Sequence, residues 1–109
     1  MNKDSISGMI NAVKAFHEKN GFDIATKSDS TMFYRQNMLM EELGEISECL
    51  TKGKGNIAEE HADLFILLLG NCIVMDIDIE QEFWTKMEKI MQRPSKNVAG
   101  FNRVSEWEK

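Results

Sequence analysis

With 109 residues, 42% of them hydrophobic, the chain has material for one modest core and none to spare for a second. A formal net charge of -5 without any basic cluster excludes a broad nucleic-acid footprint. Two cysteines, Cys49 and Cys72, are too few for a disulfide framework and lack metal-ligand spacing, so both are expected to be reduced, buried thiols.

Along the chain the hydrophobic period stays close to 3.6, which predicts an all-α fold. The start, Met1 to Ser5, is not followed by a signal-peptide apolar region, because Ser7 and Gly8 break Ile6 to Ile10; a cytoplasmic protein is expected. Ile6, Met9, Ile10, Val13 and Phe16 form the stripe of a first helix, with Asp4 or Ser5 as N-cap and Gly21 placed to end it. Residues 21–30 lack a stripe and read as a loop closing at a Ser30 or Thr31 cap. The second helix carries Met32, Gln36, Leu39, Leu43, Ile46 and Leu50 on its apolar face and Glu41, Glu42, Glu45 and Glu48 around the other side.

Thr51 to Asn56 reads as a turn, and the third helix is expected from about Ile57 to Met75. After Asp63 that helix is apolar nearly all round, which marks burial on several sides, at the centre of the fold or in a subunit contact. Its apolar stretch, Ala62 to Met75, is interrupted by Gly70 and Asn71 and falls short of the roughly 20 residues a bilayer span needs. Asp78 and Gln81 have capping-box spacing before a fourth stripe of Ile79, Phe83, Met87, Ile90 and Met91, which Pro94 stops. From Ser95 no periodic face is visible. The expected organisation is a helical domain over 1–94 and a C-terminal tail over 95–109, mobile or lying across a partner subunit.

Two acidic groups carry the chemistry: Glu41-Glu42-Leu43-Gly44-Glu45, and Glu60-His61-Ala62-Asp63 directly before the apolar segment. Helical positions three or four apart share a face, so each group presents adjacent like charges that repel unless a cation offsets them. Hard divalent ions take oxygen ligands of this kind. A short loop between the second and third helices favours an antiparallel hairpin. At about 1.5 Å per residue, Glu45 and Asp63 then lie roughly 8 and 9 Å from their loop ends and face each other. His61 is expected on the helix surface rather than as a ligand, since magnesium prefers oxygen. His17 is expected at the core boundary, and Phe33, Tyr34, Trp84 and Trp107 in core or interface packing.

With its EELGE and EHAD motifs at this separation, ahead of an apolar helix, the chain resembles the MazG-like all-α nucleoside triphosphate pyrophosphohydrolases over about residues 10–93. The resemblance implies a four-helix bundle-like fold assembled as a homodimer or homotetramer. It also implies magnesium, with manganese as a substitute, held by Glu42, Glu45, Glu60 and Asp63. The implied activity converts a nucleoside or deoxynucleoside triphosphate into the monophosphate and pyrophosphate. Members often carry a lysine, an asparagine and an arginine after the fourth helix begins; Lys86 and Arg93 fit, and Ile90 occupies the asparagine position.

Physical need assigns the remaining roles. Glu41, beside a ligand and one turn from another, suits the proton acceptor or an orienting group. Lys52 and Lys54 on the turn, with Lys86 and Arg93, are candidate phosphate partners. Two other readings stand beside this one: phosphoribosyl-ATP pyrophosphohydrolase, which shares the acidic helical architecture, and a non-catalytic helical oligomer whose acids form a hydrophilic face. A di-iron carboxylate bundle is disfavoured, because the chain contains no Glu-x-x-His pair.

Overall fold

The computed structural model describes residues 5–26 and 28–104. The Asp4 alternative for the first cap, the other residues before Ser5, and residues 105–109 of the expected tail, Trp107 among them, lie outside the described residues. The chain divides into two compact units, Met1–Ile77 and Asp78–Lys109.

The first unit holds three helices, α1 (Ile6–Asn20), α2 (Asp29–Lys52) and α3 (Ile57–Val74). Ser5 caps α1 by accepting from the Gly8 amide, and Gly21 ends it at a φ of 70°, a left-handed turn that glycine enters without a Cβ penalty. α2 begins earlier than the sequence suggests. Its N-cap is Ser28, whose hydroxyl accepts from the Thr31 amide at 3.2 Å, and Ser30 and Thr31 are already helical. All three hydroxyl residues are competent caps, and only the path of the loop chooses among them.

α3 packs against both α2 and α1. The buried apolar core is Val13, Leu69, Cys72, Ile73 and Val74, so it sits around the C-terminal half of α3. Burial on several sides thus holds for Leu69 to Val74, whereas Phe65, Ile66 and Leu68, in the apolar run before them, are 41%, 43% and 46% exposed in the single chain. The loop after α1 is tied down by a hydrogen bond from the Ala25 amide to the Ile73 carbonyl at 2.9 Å. Cys49 and Cys72 are both free, and Cys72 is buried.

The apolar stripe of α2 differs from its sequence reading. Leu43 and Leu50 are 53% and 70% exposed, and Gln36 is exposed with them. The face turned inward instead carries Arg35, Met38, Leu39, Glu42, Ile46 and Cys49, all buried or half-buried. Two polar residues, Arg35 and Glu42, therefore occupy inward positions, which a reading based on apolar residues alone places on the wrong side. Phe33, Tyr34 and Trp84, expected in packing, are 71%, 66% and 63% exposed in the single chain.

The second unit contains α4 (Ile79–Met91) and two strands, β1 (Ser95–Val98) and β2 (Phe101–Val104). Asp78 caps α4 by accepting from the Gln81 amide at 3.2 Å; the Gln81 side chain turns away to donate to Thr85. The helix stops at Met91, ahead of Pro94. Beyond it, the stretch read as featureless forms an antiparallel hairpin, with Val98 paired to Phe101 across Ala99-Gly100. Both turn residues have positive φ, 54° and 87°, the geometry of a two-residue hairpin turn whose twist matches the strands. Every hairpin residue is exposed, so no buried face left an alternating apolar pattern for the sequence to reveal.

Candidate metal centre

The α2–α3 hairpin is built by its caps. Gly53 ends α2 at a φ of 63° while its amide bonds to the Cys49 carbonyl, and Asn56 opens α3 by accepting from the Glu59 amide. Thr51 and Lys52, expected in the turn, are the last residues of α2, so the connection is only Gly53 to Asn56. Such a short loop forces the helices antiparallel and fixes their register.

That register brings Glu42, Glu60 and Asp63 together. One carboxylate oxygen from each lies within 4.8 Å of the others, and all three residues are half-buried. Oε2 of Glu42 and Oε2 of Glu60 are shielded from solvent without a hydrogen-bond partner among the described residues. Buried polar atoms rarely go unpaired, and two carboxylate oxygens cannot satisfy each other while both are ionised.

Glu45, one turn along α2, belongs to the same electrostatic group. Its pKa is raised, first by the neighbouring Glu60 carboxylate, through side-chain proximity and charge, and next by desolvation. The Glu42 pKa is raised chiefly by desolvation, with the charges of Glu45 and Asp63 adding and the proximity of the Glu60 side chain opposing. Neighbouring like charges and burial push a carboxyl toward its neutral form. A hard divalent cation removes both penalties, and the orphaned oxygens are the kind of donor it takes. The residues present therefore fit the ion that the paired motifs imply.

A second polar cluster lies two turns away on the same helices. Arg35 is 7% exposed; its Nε donates to Asn71 Oδ1 and its Nη2 to the Leu67 carbonyl at 3.4 Å. His17, expected at the boundary, is 2% exposed, and its Nδ1 donates to the Asp23 carbonyl at 2.9 Å. A carbonyl only accepts, so the proton resides on Nδ1. Gly70 makes room for both side chains: a Cβ there would collide with the Arg35 guanidinium and come within 2.8 Å of His17 Nε2.

Compared with known protein families, residues 9–91 match the family described as phosphoribosyl-ATP pyrophosphohydrolase. The chain belongs to that family. Through it the chain falls within the MazG-like all-α pyrophosphohydrolases, as the paired acidic motifs implied, and it is an enzyme of the class that hydrolyses a phosphoanhydride bond in a nucleotide. Neither curated proteins nor solved structures give a match.

The other sequence candidates of this phosphoribosyl-ATP pyrophosphohydrolase family member fall in several places. Glu41 is exposed on α2 beside Glu42. Lys52 is exposed and pairs with Glu48 at 2.7 Å, one turn back on α2, while Lys54 is exposed on the connecting turn. Lys86, Ile90 and Arg93 belong to the second unit: Lys86 is exposed on α4, and Ile90 and Arg93 are half-buried. His61 points its Nδ1 at the Ile57 carbonyl, 2.7 Å away, and remains exposed, in keeping with a surface residue. Sequence reasoning missed Arg35 and Asn71. The available signal was Asn71 within an otherwise apolar helix and Arg35 exactly seven residues before Glu42, on the same helical face. No helix among the described residues is long and apolar enough to cross a membrane.

Proposed function

We propose that this chain hydrolyses a nucleoside or deoxynucleoside triphosphate to the monophosphate and pyrophosphate, using magnesium or manganese held by Glu42, Glu45, Glu60 and Asp63. The convergence of three carboxylates with two shielded, unpartnered oxygens carries this reading. Four carboxylates formally balance two divalent cations. When bound, such ions supply charge neutralisation on the polyphosphate and activation of water for attack at the α-phosphorus.

The chain's own residues do the rest. Glu41, exposed beside this cluster, accepts the proton of the attacking water or orients a neighbouring ligand. Lys52, Lys54, Lys86 and Arg93 are the proposed partners of the phosphate oxygens, Arg93 by a planar fork and the lysines by mobile point charges. The proposed active form is a homodimer or homotetramer. Support comes from Phe65 and Ile66 on α3, 41% and 43% exposed in the single chain on a helix whose composition suits burial.

Phosphoribosyl-ATP as substrate is the second reading, favoured by the family match over residues 9–91. A panel of ribo- and deoxyribonucleoside triphosphates together with phosphoribosyl-ATP, assayed with magnesium and scored for monophosphate and pyrophosphate together, separates the two. Release of inorganic orthophosphate in place of pyrophosphate would rule out both.

A further inference from the structure

We propose that the recess between the α1–α2 loop and the first turns of α2 is the nucleobase subsite of the same active site. Arg35 and Asp23 read the edge of the base, and Phe22 and Tyr34 flank its faces. This assignment rests on the pyrophosphohydrolase reading above.

Position is the first support. Thr31, Tyr34, Arg35 and Met38 form the α2 wall of a cavity of about 260 Å³ whose other wall includes Phe22 and Asp23. Thr31, Arg35, Met38, Glu42 and Glu45 are spaced by four, three, four and three residues, which keeps them on one face of the helix. At 1.5 Å per residue, Arg35 lies roughly 10 Å from Glu42 along that face. The interval accommodates the sugar of a nucleotide whose phosphates sit at the carboxylates. Cavities that enclose whole small molecules begin at roughly 300 Å³, so this one admits a part of the nucleotide.

Chemistry is the second. The Arg35 fork is held by Asn71 and Leu67 through Nε and Nη2, and no partner among the described residues engages Nη1. Burial lowers the Arg35 pKa, and the nearby Asp23 carboxylate opposes that without forming an ion pair with the guanidinium. A charged donor and a carboxylate acceptor side by side match a base edge, where ring or carbonyl acceptors adjoin amino or imino donors. A further phosphate is the poorer occupant, because it would face the Asp23 carboxylate. Phe22 and Tyr34 are 46% and 66% exposed, which leaves their rings accessible. The larger groove between α1 and α3, lined by Met9, Phe16, Phe65 and Ile66 among others, offers no hydrogen-bonding side chain to a base.

The recess is also preformed. His17 holds the Asp23 carbonyl, the Phe22 amide donates to the His17 carbonyl at 2.9 Å, and the Phe22 ring packs edge-on against His17 and Phe16. A fixed wall limits the ordering cost of binding.

The test is calorimetry with manganese on wild type, Tyr34→Ala and Asp23→Asn, titrating each nucleoside triphosphate and inorganic tripolyphosphate. Wild type is expected to bind its preferred nucleotide at least about tenfold more tightly than tripolyphosphate, the scale of one base–aromatic stack. Tyr34→Ala should erase most of that margin. Asp23→Asn, which places a donor where only an acceptor stood, should reorder the preference among bases. A margin and a base ranking that persist in both variants would place the base elsewhere and overturn the assignment alone. Wild type that neither binds nor cleaves any of the triphosphates would overturn the proposed function and this subsite with it. Tyr34 is largely exposed, so its loss leaves the fold intact, and a manganese titration of each variant checks the carboxylate cluster independently.

Discussion

Arg35 donates to Asn71 across the α2–α3 interface, and seven residues further along α2 and eight back along α3 the same antiparallel register sets Glu42 against Asp63. The hairpin thus carries a buried cation–amide pair and an acidic cluster on one shared seam. The guanidinium reaches two acceptors inside the protein, Asn71 and the Leu67 carbonyl, while the carboxylates keep two shielded oxygens without a hydrogen-bond partner among the described residues.

Asn71→Leu should remove the acceptor of a buried charged donor and lower the unfolding free energy by about 2 kcal/mol. The double variant Arg35→Met/Asn71→Leu should recover most of the loss, since an apolar pair of similar volume leaves no charge stranded. Urea denaturation of the two variants measures this; equal destabilisation by both would show that the pair contributes by shape alone.

Gly70→Ala should destabilise the protein by about 1–3 kcal/mol, because the added methyl meets the Arg35 guanidinium and His17, both buried and each held by hydrogen bonds. A neutral or raised melting temperature, as helix propensity alone would produce, would show that the two side chains rearrange freely.

Glu42→Gln, Glu60→Gln and Asp63→Asn should each abolish turnover and the manganese-induced rise in melting temperature while the fold persists. Removing one charge weakens the ion site and relieves repulsion at once, so cation-free stability at neutral pH should hold or increase. Sharp drops in stability with the manganese response retained would make these residues structural.

The pH dependence of the cation-free protein follows from Glu42 and Glu45, whose pKa values lie above the ordinary 4.5 in the folded state. Groups raised in this way contribute stability that is fully present below 4.5 and lost as pH rises through the raised folded values. Cooling the charge by acidification from neutral toward pH 5 should therefore favour the wild-type fold relative to Glu42→Gln, and the difference in melting temperature between the two should shrink. Saturating manganese should oppose the trend, because the ion binds the ionised carboxylates. Parallel melting curves for the two proteins across that range would contradict the assignment.

Leu67→Asp should unfold the protein or collapse its melting transition, since the position is half-buried beside the α2–α3 seam and its carbonyl receives Arg35. Circular dichroism of the purified variant reports the outcome.

The amino-acid order by itself determined the four helices, because apolar residues recur at helical spacing in three of them, fill the third helix almost all round, and are bounded by capping residues or a glycine that ends the helix. It also singled out the acidic groups of the candidate site, since EELGE and EHAD flank a short loop and a helix can present their carboxylates only on a few faces. Packing decided the rest. Which side of α2 turned inward depended on Arg35 and Glu42 finding partners or company across the seam, and polar residues in such places are invisible to a count of apolar ones. The cap of α2 depended on the path of the preceding loop, and the β-hairpin on a local turn at Ala99-Gly100 with no buried face to betray it. Separation in sequence is the common cause: a cap or stripe is settled within a turn of helix, whereas Arg35 meets Asn71 only after the chain has folded back on itself.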